Sequence, residues 1–113
     1  MPRLRSDIWV AALIRRAQND GAYAALRKRG ADQAGAIFIV VNCLDGRHHL
    51  FSPAPQMAFD GTPADRLFML VLRDAGSGEI DERLDQEFRF DPDCWVVEID
   101  DRRERPFADV MKE

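Results

Sequence analysis

The chain has 113 residues, 46% hydrophobic and 32% charged, with a net charge of −4, a composition that suits one folded domain with its own core and excludes a disordered chain. No apolar run approaches the roughly 18 residues of a membrane span; the longest, Ala36–Val41, is strand-sized. The basic start at Arg3 and Arg5 leads into Asp7, Arg15 and Arg16 rather than into the apolar centre of a signal peptide, so a cytoplasmic location is expected.

Ser6-Asp7 opens the first element, the serine as a cap and the aspartate at the positive end of a helix. Trp9, Val10, Leu13, Ile14 and Ala17 then fall on one helical stripe. Gly21 follows Asn19-Asp20 as a left-handed terminator, and the spacing predicts a helix over 6–20. The opposite face carries Ile8, Ala11, Ala12, Arg15 and Asn19, small and uncharged enough for another helix to pack closely. Residues 22–29 favour helix by propensity. The short span between Gly21 and Gly30 suits a strand instead, and the residues alone leave both open.

Ala36–Val41 is apolar at every position and rich in β-branched residues, the pattern of a central strand covered on both faces. Asp45-Gly46 fits a two-residue hairpin turn. That turn pairs Cys43 with His48, Asn42 with His49 and Val41 with Leu50 along a return strand, Arg47–Ser52, which Pro53 and Pro55 stop. Residues 53–65 read as an irregular surface loop. Arg66–Arg73 is a further apolar strand and Asp74–Gly78 a turn. Glu79–Phe90 reads as a second helix with Ile80, Leu84 and Phe88 on its stripe, ended by Asp91-Pro92. Cys94–Asp100 alternates as a half-buried strand, with Trp95, Val97 and Ile99 facing one way. The charged end, 101–113, is expected to fray. These elements predict a single α+β domain over 1–113. Its sheet is mainly antiparallel, with about five strands and two helices on one face, in the order α-β-β-β-β-α-β.

Four segments carry a resemblance to a known family. They are Arg3-Leu4-Arg5-Ser6-Asp7-Ile8-Trp9-Val10, the stretch from Arg29 to Phe38, the Asn42-to-Gly46 turn, and Phe90-Asp91-Pro92-Asp93-Cys94-Trp95-Val96-Val97-Glu98-Ile99. With these the chain resembles the bacterial domain of unknown function 1491, along nearly its whole length. The resemblance implies a strand at 22–29 and implies no activity.

Cys43 opposite His48 is the nearest approach to a nucleophile and base, since imidazole could take the thiol proton. No third group orients that histidine, and no oxyanion hole is recognisable. Cys43 and Cys94 form no CxxC pair. His48 and His49 alternate across a strand and so should not share an ion. Asp81 with Asp85, Asp91 with Asp93, and Glu98 with Asp100 and Asp101 lack the spacing of a calcium loop; capping and turn formation account for them. Trp9 and Trp95 read as core anchors, and as contact residues if exposed.

Charge is uneven. Residues 1–29 hold seven bases against two acids, the remainder nine against eighteen. Arg27-Lys28-Arg29, with Arg15 and Arg16, is the best basic patch, but the acidic whole argues against nucleic acid. The reading this supports is a non-catalytic cytoplasmic domain, with no catalytic or metal residue and no cofactor, acting through contact with a partner protein or with itself. Its contact candidates are Trp9, Arg15, Arg16, Arg27, Lys28 and Arg29. The alternatives are a small enzyme or ligand binder whose pocket joins Cys43, His48 and Glu98, and a nucleic-acid accessory protein.

Overall fold

The apolar stripe Trp9, Val10, Leu13 and Ala17 forms the buried face of the first helix, α1 (Ser6–Asn19). The computed structural model describes residues 4–55 and 66–112. Six strands follow with one further helix: β1 (Tyr23–Lys28), β2 (Ile37–Asn42), β3 (His48–Pro53), β4 (Leu67–Ala75), α2 (Ser77–Phe90), β5 (Trp95–Asp100) and β6 (Asp109–Val110). Residues 22–29 are a strand, not a helix. Most of the loop expected over 53–65 lies outside the described residues.

The strands make one sheet in the order β1-β5-β2-β3-β4-β6. The fold is α+β as expected, but the sheet has six strands rather than five and is mixed. β5 runs parallel to β2, and β6 parallel to β4. β5 is a central strand, not a half-buried one, with Trp95, Val96, Val97 and Ile99 all buried. The alternation was read correctly, but its second face is covered as well. Residues 101–112, expected to fray, turn back along the sheet and add β6 beyond β4.

The two helices lie on opposite faces rather than on one. Ile37, Ile39 and Val41 of β2 pack with α1 and with Trp95, Val97 and Ile99. Phe38 and Val40 pack with Ile80 and Leu84 of α2, and with Cys94 and Val96. The period of two along β2 and β5 therefore feeds two separate cores, which is why both strands are apolar throughout.

Ser6 does not cap α1. It is the helix's first residue, fully buried, and its hydroxyl donates to the Gly35 carbonyl at 2.7 Å. The N–H groups of Ser6 and Asp7 donate to the Gln33 and Asp32 carbonyls, so the 30–35 loop satisfies the helix start. Gly21 does end the helix region with φ +89°. The same 30–35 loop lies against Trp95, whose indole N–H donates to the Ala31 carbonyl at 2.8 Å. Gly35 permits this approach, since a Cβ there would stand 2.5 Å from the Asp93 carbonyl oxygen and 2.8 Å from the indole. Gly35→Ala should therefore destabilise the fold by about 1–3 kcal/mol through overpacking, measured as a lower urea midpoint at unchanged slope.

Candidate functional site

The β2–β3 hairpin decides which polar side chains meet. Val41 pairs with His49 and Asn42 with His48, one residue out of the register that a two-residue turn would set. The Cys43 N–H donates to the Arg47 carbonyl at 3.0 Å, so the loop is three residues long, 44–46. Leu44 takes φ +67° and Gly46 φ +93°. Asn42 Oδ1 accepts from the Leu44 N–H, and Asp45 Oδ1 from that of Arg47. A one-residue slip exchanges the faces of a strand. Cys43 therefore shares the α1 face with His49, while His48 lies on the α2 face.

His49 is 6% exposed and both its ring nitrogens are engaged. Nε2 lies 2.6 Å from Glu104 Oε1. Nδ1 accepts the Asp74 N–H at 3.1 Å. The second contact depends on an irregularity in the β3–β4 pairing. His48 pairs with Ala75 but Leu50 with Leu72, leaving an extra residue on β4. Asp74, at φ +55°, is in that bulge, which turns its N–H toward the imidazole. An Nδ1 that accepts fixes the neutral ring's proton on Nε2, where it is donated to the Glu104 carboxylate.

Glu104 arrives from the segment expected to fray. Asp101, 6% exposed, donates its N–H to the Asn42 carbonyl, and its carboxylate binds the Arg105 guanidinium at 2.8 Å. That turn presents Glu104, itself at φ +62°. Arg47 closes the group by donating to Asp45, Asp74 and Glu104. Its guanidinium, with the His49 hydrogen bond, holds the Glu104 carboxyl below its ordinary range. Arg105 does the same to Asp101. Burial, then the Glu104 charge, pushes the Cys43 thiol up.

Cys43, His49 and Glu104 bring three metal-compatible donor atoms within 4.8 Å of one another. The donor set is one that zinc accepts. The hydrogen bonding is not. A ligating histidine donates its other ring N–H outward, whereas here the outer nitrogen accepts and the inner one carries the proton. Nucleophilic chemistry fares no better, because the raised thiol is neutral and His49 has no free nitrogen to deprotonate it. The group is a hydrogen-bonded clasp joining the hairpin, the β4 bulge and the C-terminal turn. A shallow groove beside it, about 320 Å³, is walled by His49, Glu104, Phe51, Leu70 and Pro106.

Cys43, His48 and Glu98 do not converge. Glu98 pairs in register with Val40 on the α2 face, where it binds Arg27 at 3.0 Å, away from Cys43. Arg27 also binds Asp81 of α2. Lys28 Nζ donates to the Pro92 and Cys94 carbonyls and lies over the Phe88 ring. Arg29 binds Asp32 and lies over Trp95. Arg15 is exposed. Trp9 is a core residue, 5% exposed, with Arg16 over its ring. The sequence reading missed His49 and Glu104. The signal in reach was Leu44-Asp45-Gly46 as an alternative three-residue loop, which puts Cys43 and His49 on one face.

His49→Ala should cost about 1–3 kcal/mol by stranding the Asp74 N–H, measured by denaturant unfolding. The depressed carboxyls Glu104 and Asp101 add stability that is present above their ordinary values and lost as pH falls through their folded values. Glu104→Gln should therefore melt lower than the parent at neutral pH and lose less on acidification below the ordinary carboxylate range, as read from melting temperature against pH.

A model of a family described as proteins of unknown function, DUF1491, matches residues 4–109. A solution structure of an A. tumefaciens protein is similar at 40% identity and a TM-score of 0.86, over 98% of this chain and 97% of that one. A crystal structure of a DUF1491 protein from Caulobacter crescentus is similar at 38% identity and a TM-score of 0.79, over 96% of this chain and 98% of that one. No curated protein matches the chain. None of these relatives carries a stated activity, and the resemblance read from the four sequence segments is confirmed: the chain belongs to the DUF1491 family.

Proposed function

We propose that the chain is a non-catalytic cytoplasmic domain that works by protein contact, associating with a second copy of itself along the β1 edge. The observation that carries this reading is apolar exposure at a strand edge that has no strand neighbour among the described residues. Tyr23 is 64% exposed and Leu26 40% on β1, and Ile8 is 50% exposed on α1, which packs on that strand. An open edge offers backbone donors and acceptors, and exposed apolar side chains beside it favour pairing with another chain. The irregularity between Leu26 and Lys28 and the basic residues from Arg27 onward blunt one end of the edge only. Gln18 covers one carbonyl, that of Ala24, at 3.2 Å.

The neighbouring basic residues favour protein over nucleic acid as the partner. Arg27, Lys28 and Arg29 are already held by Asp81, Glu98, Asp32 and backbone carbonyls. Phosphates would have to displace these partners. No described helix is long and apolar enough to cross a membrane.

Light scattering on a size-exclusion column should show a dimer whose fraction rises with concentration. Leu26→Lys combined with Tyr23→Ser should shift it to monomer with little change in melting temperature. A monomer at every concentration, or a dimer indifferent to these substitutions, would contradict the proposal.

A further inference from the structure

The open edge of β1 presents only certain backbone groups, and the pairing of β5 decides which. The Trp95 and Asp101 N–H groups donate to the Ala36 and Asn42 carbonyls, on the β2 side. Val96, Glu98 and Asp100 therefore turn their peptide groups the other way, toward Lys28, Ala25 and Tyr23 of β1. Ala24 and Leu26 are left pointing away from β5, out of the sheet. A separate contact agrees: the Ala24 carbonyl accepts the side-chain amide of Gln18, from α1, at 3.2 Å.

These directions limit how a second β1 pairs antiparallel with the first. A two-fold axis at Ala24 sets Leu26 against Ala22, whose N–H already donates to the Ala17 carbonyl at 3.0 Å. An axis at Leu26 sets Ala24 against Lys28, which the irregularity after Leu26 turns toward β5. An axis at Ala25 sets Ala24 against Leu26 of the second copy, and each such pair exchanges both its N–H···O bonds. Ala25 then meets its own copy at a non-hydrogen-bonded position, where side chains come closest and a methyl group fits. Tyr23 meets Arg27 of the second copy, an exposed ring against a guanidinium. The same axis sets the two α1 helices side by side, where Ala11 and Ile14 share the flank of Gln18 at helical spacing. One obstacle stands in this register. The Ala24 carbonyl has to accept the Leu26 N–H of the second copy, and the Gln18 amide occupies it.

We infer that the edge takes the second copy in this one register, with the two-fold axis at Ala25, and that Gln18 is a latch which pairing displaces. The register rests on the self-association proposed above and adds its geometry and its restraint. The free chain satisfies one of its own edge carbonyls, and association exchanges that bond for one from a neighbouring backbone. Such a latch lowers the affinity for the second copy and guards the edge against other strands.

Ala25→Cys tests the register and Gln18→Ala the latch. Paired Ala25 positions lie about 4.5 Å apart at Cα, within reach of a disulfide, and the native Cys43 and Cys94 are buried. Under mild oxidation Ala25→Cys is expected to form a covalent dimer. Tyr23→Cys, whose two copies lie on opposite sides of the axis, is expected to form none. Gln18→Ala should tighten association about two- to tenfold in light scattering, the worth of one hydrogen bond. No cross-link at Ala25→Cys in a protein that still dimerises, or a cross-link at Tyr23→Cys, overturns the register and leaves self-association standing. Association unchanged or weakened by Gln18→Ala overturns the latch. A monomer at every concentration removes this inference together with the reading beneath it. Gln18 is exposed, so its variant keeps the test available if Ala25→Cys fails to fold.

Discussion

The parallel pairing of β2 with β5 carries the sheet. Ile37–Val41 and Trp95–Val97 are buried on both faces, so every peptide group in them is out of reach of water from above and below. Such groups need partners on both strand edges. β5 finds them in β2 and β1, and β2 finds them in β5 and β3. Without β5, β1 would have no strand partner at all. The N-terminal strands therefore cannot complete a sheet until the chain has passed through α2 and returned. Pairing across that separation raises contact order and slows folding relative to a simple meander.

The same arrangement explains the two cores and the clasp. A sheet buried on both faces needs a helix over each, and α1 and α2 supply one apiece. Beyond the end of β2, Arg47, His49 and Glu104 tie the hairpin loop, the β4 bulge and the C-terminal turn together by hydrogen bonds. Of the four non-glycine residues with positive φ among the described residues, three, Leu44, Asp74 and Glu104, are in those loops. Each such conformation costs on the order of 1 kcal/mol. The contacts of His49 and Arg47 offset it by fixing the loops in a single arrangement.

Much of this architecture was legible in the residues. The continuous β-branched run at 36–41 announces a buried central strand, and Ile80, Leu84 and Phe88 announce the face of α2. What was hidden depended on partners distant in sequence. The alternation at 94–100 is identical for a strand with one face covered and for one with two, so the place of β5 could not be read locally. Helices on one face or on both leave the same stripes. The hairpin turned on whether Asp45-Gly46 is the whole loop or the end of a three-residue one, a choice made by the left-handed Leu44, which no propensity favours. Because the side-chain period is two, that one residue was enough to hide the meeting of Cys43 with His49. Glu104 was hidden by its charged surroundings, which look like a tail until Asp101 and Arg105 are seen to fold them back.

The β2–β5 pair thus fixes where the edges of the sheet fall. Native-state hydrogen exchange tests this most directly. If the pairing is the keystone, the amides of β2 and β5 exchange only through global unfolding, with the same free energy as denaturant melting, and those of β1 and β6 open earlier. Amides of β5 that exchange through a local opening, with β2, β3 and β4 still protected, would contradict it.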